Sequence, residues 1–117
     1  MKIGFIIFTI ISIFSSCQQE EKFDKAKWGF TGDVFDFPNR KYMLNDLLRN
    51  YHLQGKKYTE IINLLGKPQW DIDSTYEIVY RIDIDWGTVD PAYFKNLRFQ
   101  FSRDSVVQKF ETYEWRK

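Results

Sequence analysis

Polarity along this chain repeats with two periods, and the change between them falls near Gly66. From Asn39 to about Tyr51, Met43, Leu47, Leu48 and Tyr51 recur at three- and four-residue spacing. Arg40, Lys41, Asn45, Asp46, Arg49 and Asn50 fill the remaining surface, so this stretch predicts a helix with one apolar stripe and Asn39 at its N-cap. Leu53-Gln54-Gly55 ends it. A shorter helix is predicted from Lys57 to Leu65, presenting Tyr58, Ile61, Ile62, Leu64 and Leu65. Gly66 supplies a left-handed cap and Pro68 forces an extended exit. So short a helix does not hold alone in water and must dock on something.

Beyond Gly66 the period becomes two. Tyr76, Ile78, Tyr80, Ile82 and Ile84 alternate with Glu77, Val79, Arg81, Asp83 and Asp85, the mark of a strand with one buried face. Leu97, Phe99 and Phe101 alternate with Arg98, Gln100 and Ser102 in a second strand. Ser102-Arg103-Asp104-Ser105 turns tightly into a third, from Val106 to about Tyr113. Trp86 to Phe94, broken by Gly87 and Pro91, is the longer connection. Two N-terminal helices packed on a three-stranded antiparallel sheet give a two-layer α+β fold, with one sheet face covered. This α-α-β-β-β domain is expected over residues 39–117.

The N-terminus follows neither period. Large apolar residues predominate from Ile3 to Phe14, after Met1-Lys2 and before Ser15-Ser16-Cys17. As a helix the run rises about 18 Å at ~1.5 Å per residue, well short of the roughly 30 Å hydrocarbon core. That suits a secretory signal and not a transmembrane anchor. Small residues directly before the one cysteine resemble the lipobox of bacterial lipoproteins, with Phe14 standing where Leu is usual. Residues 1–16 therefore read as a lipoprotein signal peptide, and the mature chain is expected to begin at an acylated Cys17. At about 0.8 kcal/mol per buried methylene, two chains such as palmitate exceed the marginal hold of one. The lipid bilayer is thus the first expected partner, through Cys17. Residues 17–22 form the lipidated cysteine and a polar tether, Gln18-Gln19-Glu20-Glu21-Lys22. Gln18, where some Gram-negative lipoproteins carry an Asp that retains them at the inner membrane, points to the outer membrane. Glu20-Glu21 resembles a surface-display signal and equally a plain spacer, so the side of the membrane stays open.

Residues 23–38 hold Gly29, Gly32 and Pro38 together with Trp28, Phe30, Phe35 and Phe37. Breakers this frequent oppose a regular helix, and four large aromatics oppose a free linker. The segment reads as an irregular aromatic arm or short strand lying against the domain. The alternative is a sticky segment in which Trp28, Phe30, Phe35 and Phe37 bind a partner.

Charge acts mainly by exclusion. The chain has 17 Lys and Arg against 16 Asp and Glu, and loss of Lys2 with the signal leaves the two balanced. Such neutrality is poor material for neutralising phosphates, so no nucleic-acid partner is expected. With 1 cysteine, and that one acylated, neither an intramolecular disulfide nor a thiol nucleophile is available. His52 has no second histidine or thiol to join it as a metal ligand and reads as structural. Asp83-Ile84-Asp85-Trp86-Gly87 opens like a calcium loop, yet Gly87 and Phe94 stand where the later ligands are needed. Asp71 and Asp73 read as a solvated strand face, and no cleft for a glycosidase pair is implied. Asp73-Ser74-Thr75 and Asp104-Ser105-Val106, though similar to short O-glycosylation signals, read as turns. Trp70, Trp86 and Trp115 read as core or sheet-edge packing, with a ligand pocket as the alternative. No catalytic residue, cofactor or metal is expected, and the chain does not read as an enzyme.

One stretch carries a family resemblance. Gly55-Lys56-Lys57-Tyr58-Thr59-Glu60-Ile61-Ile62-Asn63-Leu64-Leu65-Gly66-Lys67-Pro68 resembles the Gly-x-(Thr/Ser)-x-x-(Glu/Gln)-(Val/Ile)-x-x-(Leu/Ile)-(Leu/Phe)-Gly-x-Pro motif of the SmpA/OmlA (BamE-like) lipoprotein domain. Lys57 stands where that family usually caps with Thr or Ser, and Thr59 is expected to cap instead. The strand around Tyr80 also suits the family's first strand. Arg40, Met43, Asp46 and Leu47 resemble a pattern in uncharacterised exported lipoproteins with this domain. The wider architecture is shared with β-lactamase inhibitory proteins. The motif is a packing signature, so it speaks for fold more than for function. Family members help stabilise the β-barrel assembly machinery of the outer membrane. The resemblance therefore implies a non-enzymatic envelope lipoprotein that binds an envelope protein, in outer-membrane protein assembly. An inhibitor or small-ligand-binding lipoprotein using its sheet face is the alternative.

Overall fold

The structure, a computed structural model, describes residues 20–32 and 36–117. Cys17, the apolar run before it and Phe35 lie outside the described residues. Among the described residues three helices precede four strands: α1 (Lys25–Gly29), α2 (Arg40–Asn50), α3 (Tyr58–Leu65), β1 (Trp70–Ile72), β2 (Glu77–Trp86), β3 (Pro91–Phe101) and β4 (Val107–Arg116). The strands form one antiparallel sheet in the order β1-β2-β3-β4. The α+β class holds, but the sheet has four strands where three were expected, and the helices number three where two were expected.

Each difference has a local cause. Strand β1 is three residues long, too short to display a period. The exit at Pro68 lays it along β2, and the Gln69 N–H donates to the Val79 carbonyl at 3.0 Å. Strand β3 begins at Pro91, so the connection expected from Trp86 to Phe94 shrinks to residues 87–90. Gly87 and Pro91 look like breakers in sequence, yet Gly87 makes the tight turn itself: its N–H donates to the Asp90 carbonyl at 2.8 Å. Tyr76, expected in the buried row, is instead the left-handed residue that closes the 3-10 turn Asp73–Thr75, and it is exposed.

In the arm, Asp24 turns an irregular segment into α1. Its Oδ1 accepts the Ala26 and Lys27 N–H groups at 3.0 and 3.1 Å, the N-cap arrangement. The expected cap of α2 does not form. Asn39 already has helical dihedrals, and its Nδ2 donates to the Lys27 carbonyl at 3.1 Å, stitching the arm to α2. Nor does Thr59 cap α3; Lys57 is the N-cap residue, and its N–H donates to Glu60 Oε1 at 2.8 Å.

Met43 and Leu47 of α2 and Ile61 and Leu65 of α3 pack with Ile78, Tyr80, Ile82, Leu97 and Phe99 in one buried cluster on the inner face of the sheet. The outer face has its own organisation. A β-bulge lies between Arg81 and Asp83: Arg81 opposes Asn96 and Asp83 opposes Lys95, so Ile82 is the extra residue. Beyond it the alternation reverses. Asp83 joins the inner side, where Lys41 of α2 lies 3.9 Å away, and Ile84, expected in the buried row, pairs with Phe94 on the outer side.

Candidate functional site

Among the described residues, Trp28, Phe30 and Phe37 do not form one surface. Trp28 is 0% exposed, with Phe23 and Tyr80 at ring centroid distances of 5.6 and 6.4 Å. It is core, which removes it from any contact surface. Phe30 is exposed, Phe37 is half-buried, and Phe35 lies outside the described residues.

Between Trp28 and Phe37 sits a buried guanidinium, that of Arg40. Its carbon lies 3.6 Å from the Phe37 ring centroid and 4.7 Å from that of Trp28. Nε donates to the Trp28 carbonyl at 2.9 Å, and Nη1 donates to Gln69 Oε1 and to the Arg81 carbonyl, each at 2.8 Å. Burial pushes the Arg40 pKa down to about 9, against an opposing pull from Tyr80. The oxygens and ring faces serve the cation in place of a carboxylate. Tyr80 is pushed up by the same burial, and its hydroxyl donates to the Gly66 carbonyl at 2.7 Å.

A second guanidinium, that of Arg81, lies on the outer face and is held differently. Arg81 is 7% exposed, with its guanidinium carbon 5.2 Å from the Trp70 ring centroid and 5.0 Å from that of Phe94. Its Nε and Nη1 have no acceptor among the described residues. Burial lowers its pKa, with Tyr113 opposing. Across the ladder, Asn96 donates from Nδ2 to the Tyr113 hydroxyl at 3.1 Å while its buried Oδ1 receives no donor among the described residues. Phe94 stacks on Trp115 at 5.6 Å and meets Tyr113 edge-on at 6.5 Å. Arg98 beside them is neutralised by an ion pair with Glu111. The result is a face on which the Trp70 and Phe94 rings cover a desolvated cation, while Trp70 (36% exposed) and Ile72 (39%) on β1 and Trp115 (44%) on β4 expose apolar surface at the two edge strands.

The pocket of Trp70, Trp86 and Trp115 offered as the sequence alternative is not what the register builds: Trp70 and Trp115 lie on the outer face at the two edge strands, and Trp86 sits at the far end of β2. Sequence reasoning missed Arg81, Phe94 and Asn96. The period-two pattern assigned Arg81 to a solvated row, and its burial depends on rings from β1 and β3.

Hollows lie elsewhere on the molecule. One of about 850 Å³ is lined by Gly32, Phe37, Arg40 and Pro68, among others. Another, about 330 Å³, is bordered by Tyr58, Asp71, Asp73 and Glu77. There the Tyr58 hydroxyl donates to Asp71 Oδ2 at 2.8 Å, which raises the Tyr58 pKa. No group of three or more His, Cys, Asp or Glu that could hold a metal ion occurs among the described residues. No helix among them is long and apolar enough to cross a membrane. Among family models, curated proteins and solved structures, none matches this chain. The family resemblance therefore rests on the sequence alone.

Proposed function

We propose that this protein is a membrane-anchored lipoprotein of the cell envelope that binds another protein through the outer face of its sheet and catalyses no reaction. The observation that carries this reading is the face itself, where Trp70 and Phe94 cover a buried cation and Trp70, Ile72 and Trp115 expose apolar surface on the two edge strands. Protein-binding hot spots share part of that anatomy: aromatic and arginine anchors at a centre kept dry by the contacts around them.

The tether is compatible with that use. The Glu21 N–H donates to the Tyr42 carbonyl at 2.8 Å, and the Glu20 carboxylate accepts from Asn45 Nδ2 at 2.8 Å. Both partners belong to α2, which covers the inner face, so Glu20 and Glu21 lie on the helical side of the sheet. The likeness of residues 55–68 to the BamE-like motif, and the succession of helices followed by an antiparallel sheet, support a role beside outer-membrane protein assembly.

Photo-crosslinking in intact cells tests the reading. A crosslinker at Ile72 is expected to capture one envelope protein in stoichiometric yield, and one at Asn45 is not. Equal labelling from both sites, or none from Ile72, overturns it. The anchor is tested separately: Cys17→Ser is expected to release the product from the envelope fraction, and unchanged sedimentation refutes acylation.

A further inference from the structure

We propose that the outer sheet face reads a carboxylate carried by an extended segment of a partner polypeptide, with Arg81 as the cation that receives it. This rests on the assignment of that face as the interaction surface.

The case begins with cost. A guanidinium buried without an anion is less favourable than an apolar side chain of similar volume. Arg40 offsets that cost with three oxygens; Arg81 has its Nε and Nη1 without an acceptor among the described residues. Neighbouring charge does not serve it either, since Glu111 is taken up by Arg98. A carboxylate is the group that matches both its charge and its donors.

The surroundings narrow the ligand further. Asn96, directly across the ladder, offers a buried Oδ1 that lacks a donor. An acidic residue within an extended chain presents both complements at once, a side-chain carboxylate for Arg81 and a backbone N–H for Asn96. Trp70, Ile72 and Trp115 spread apolar surface over both edges of the sheet, a footprint suited to a segment with apolar residues flanking the acid. Trp70 sits on the three-residue strand β1 at the sheet edge, and Phe94 is on an inner strand against Tyr113 and Trp115.

The test uses the full acylated chain in detergent micelles with side-chain ¹⁵N-labelled arginine. Its probes are two peptide pools with randomised apolar flanks and a fixed central Glu or Gln. The Glu pool is expected to shift the Arg81 Nε–H resonance and to bind at least roughly tenfold more tightly than the Gln pool. Arg81→Gln is expected to erase that difference. Arg81→Met should leave the denaturation midpoint unchanged or higher, as for a charge kept for binding. Equal affinity for the two pools sinks the carboxylate assignment while the face survives. If neither pool perturbs any outer-face resonance, the interaction surface falls with it. A shift produced equally by free glutarate at the same concentration overturns the polypeptide assignment in favour of a small acid. A midpoint lowered by Arg81→Met as far as by Arg40→Met makes Arg81 a structural cation and refutes the proposal.

Discussion

Arg40 Nη1 donates to the backbone carbonyl of Arg81 at 2.8 Å, so the strand that carries one buried guanidinium also anchors the other. Gln69 completes the junction, its Oε1 accepting both from Arg40 Nη1 and from the Arg81 backbone N–H, each at 2.8 Å. One cation therefore ties the arm, α2, the exit from α3 and β2 together, while the other faces outward. Arg40→Met leaves the Trp28 and Arg81 carbonyls and Gln69 Oε1 without this donor. A loss of at least about 1–3 kcal/mol in unfolding free energy is expected, measured by chemical denaturation. Arg40→Lys should recover little of it, because one ammonium cannot span the positions that Nε and Nη1 reach.

Trp28 and Phe30 are two residues apart and should behave oppositely. Trp28→Ala empties a fully buried site between Phe23 and Tyr80, for which about 3–5 kcal/mol is expected. Phe30 is 57% exposed, and Phe30→Ala should change stability by no more than about 0.5 kcal/mol. Thermal melts of both variants check the pair. Similar losses would place Phe30 in the core as well.

That contrast also marks where the sequence was legible. The apolar stripes of α2 and α3 and the Ile78, Tyr80, Ile82 row report directly which side of each element is buried, because local period and burial coincide there. Three features escaped for physical reasons. Strand β1 is too short to have a period, and α1 depends on a single cap, Asp24, in a segment broken by Gly29 and Gly32. The bulge at Ile82 reverses the facing of everything beyond it without altering the composition of the strand. The outer-face site was hidden for a further reason. Arg81, Phe94, Asn96 and Trp115 are scattered in sequence and meet only through register, so no local pattern announces them.

Asp46 makes the docking of the arm pH-dependent. Its Oδ2 accepts the Phe23 N–H at 2.8 Å and its Oδ1 accepts from Asn50 Nδ2 at 2.7 Å. These bonds, the Phe23 one foremost, hold its pKa below the ordinary aspartate value of 3.8. A carboxylate with a depressed folded pKa contributes its stability above the unfolded value and loses it as pH falls through the folded one. The Phe23 amide proton shift should therefore titrate with a midpoint below 3.8 and become flat in Asp46→Asn. A midpoint at or above 3.8 would show that the arm is not held by this carboxylate.

Gly66 was expected to close α3 in the left-handed conformation, and its φ of 85° agrees, but its ψ of −165° does not. That combination lies in a region open essentially to glycine alone, more restrictive than the left-handed helical well that Asn tolerates. A Cβ built there meets nothing within 4 Å, so any cost of substitution comes from the backbone. Gly66→Ala should lower the unfolding free energy by about 1–3 kcal/mol, and Gly66→Asn should fare no better. Gly29 serves as the control, since a Cβ there is also uncrowded and no positive φ applies. Gly29→Ala should be neutral or stabilise by about 0.4–1 kcal/mol through the unfolded chain. Urea denaturation with unchanged m-values separates the cases. A Gly66→Asn variant as stable as the parent would mean that the chain leaves α3 through an ordinary left-handed cap, which would swing Pro68 and β1, and with them Trp70, away from Arg81.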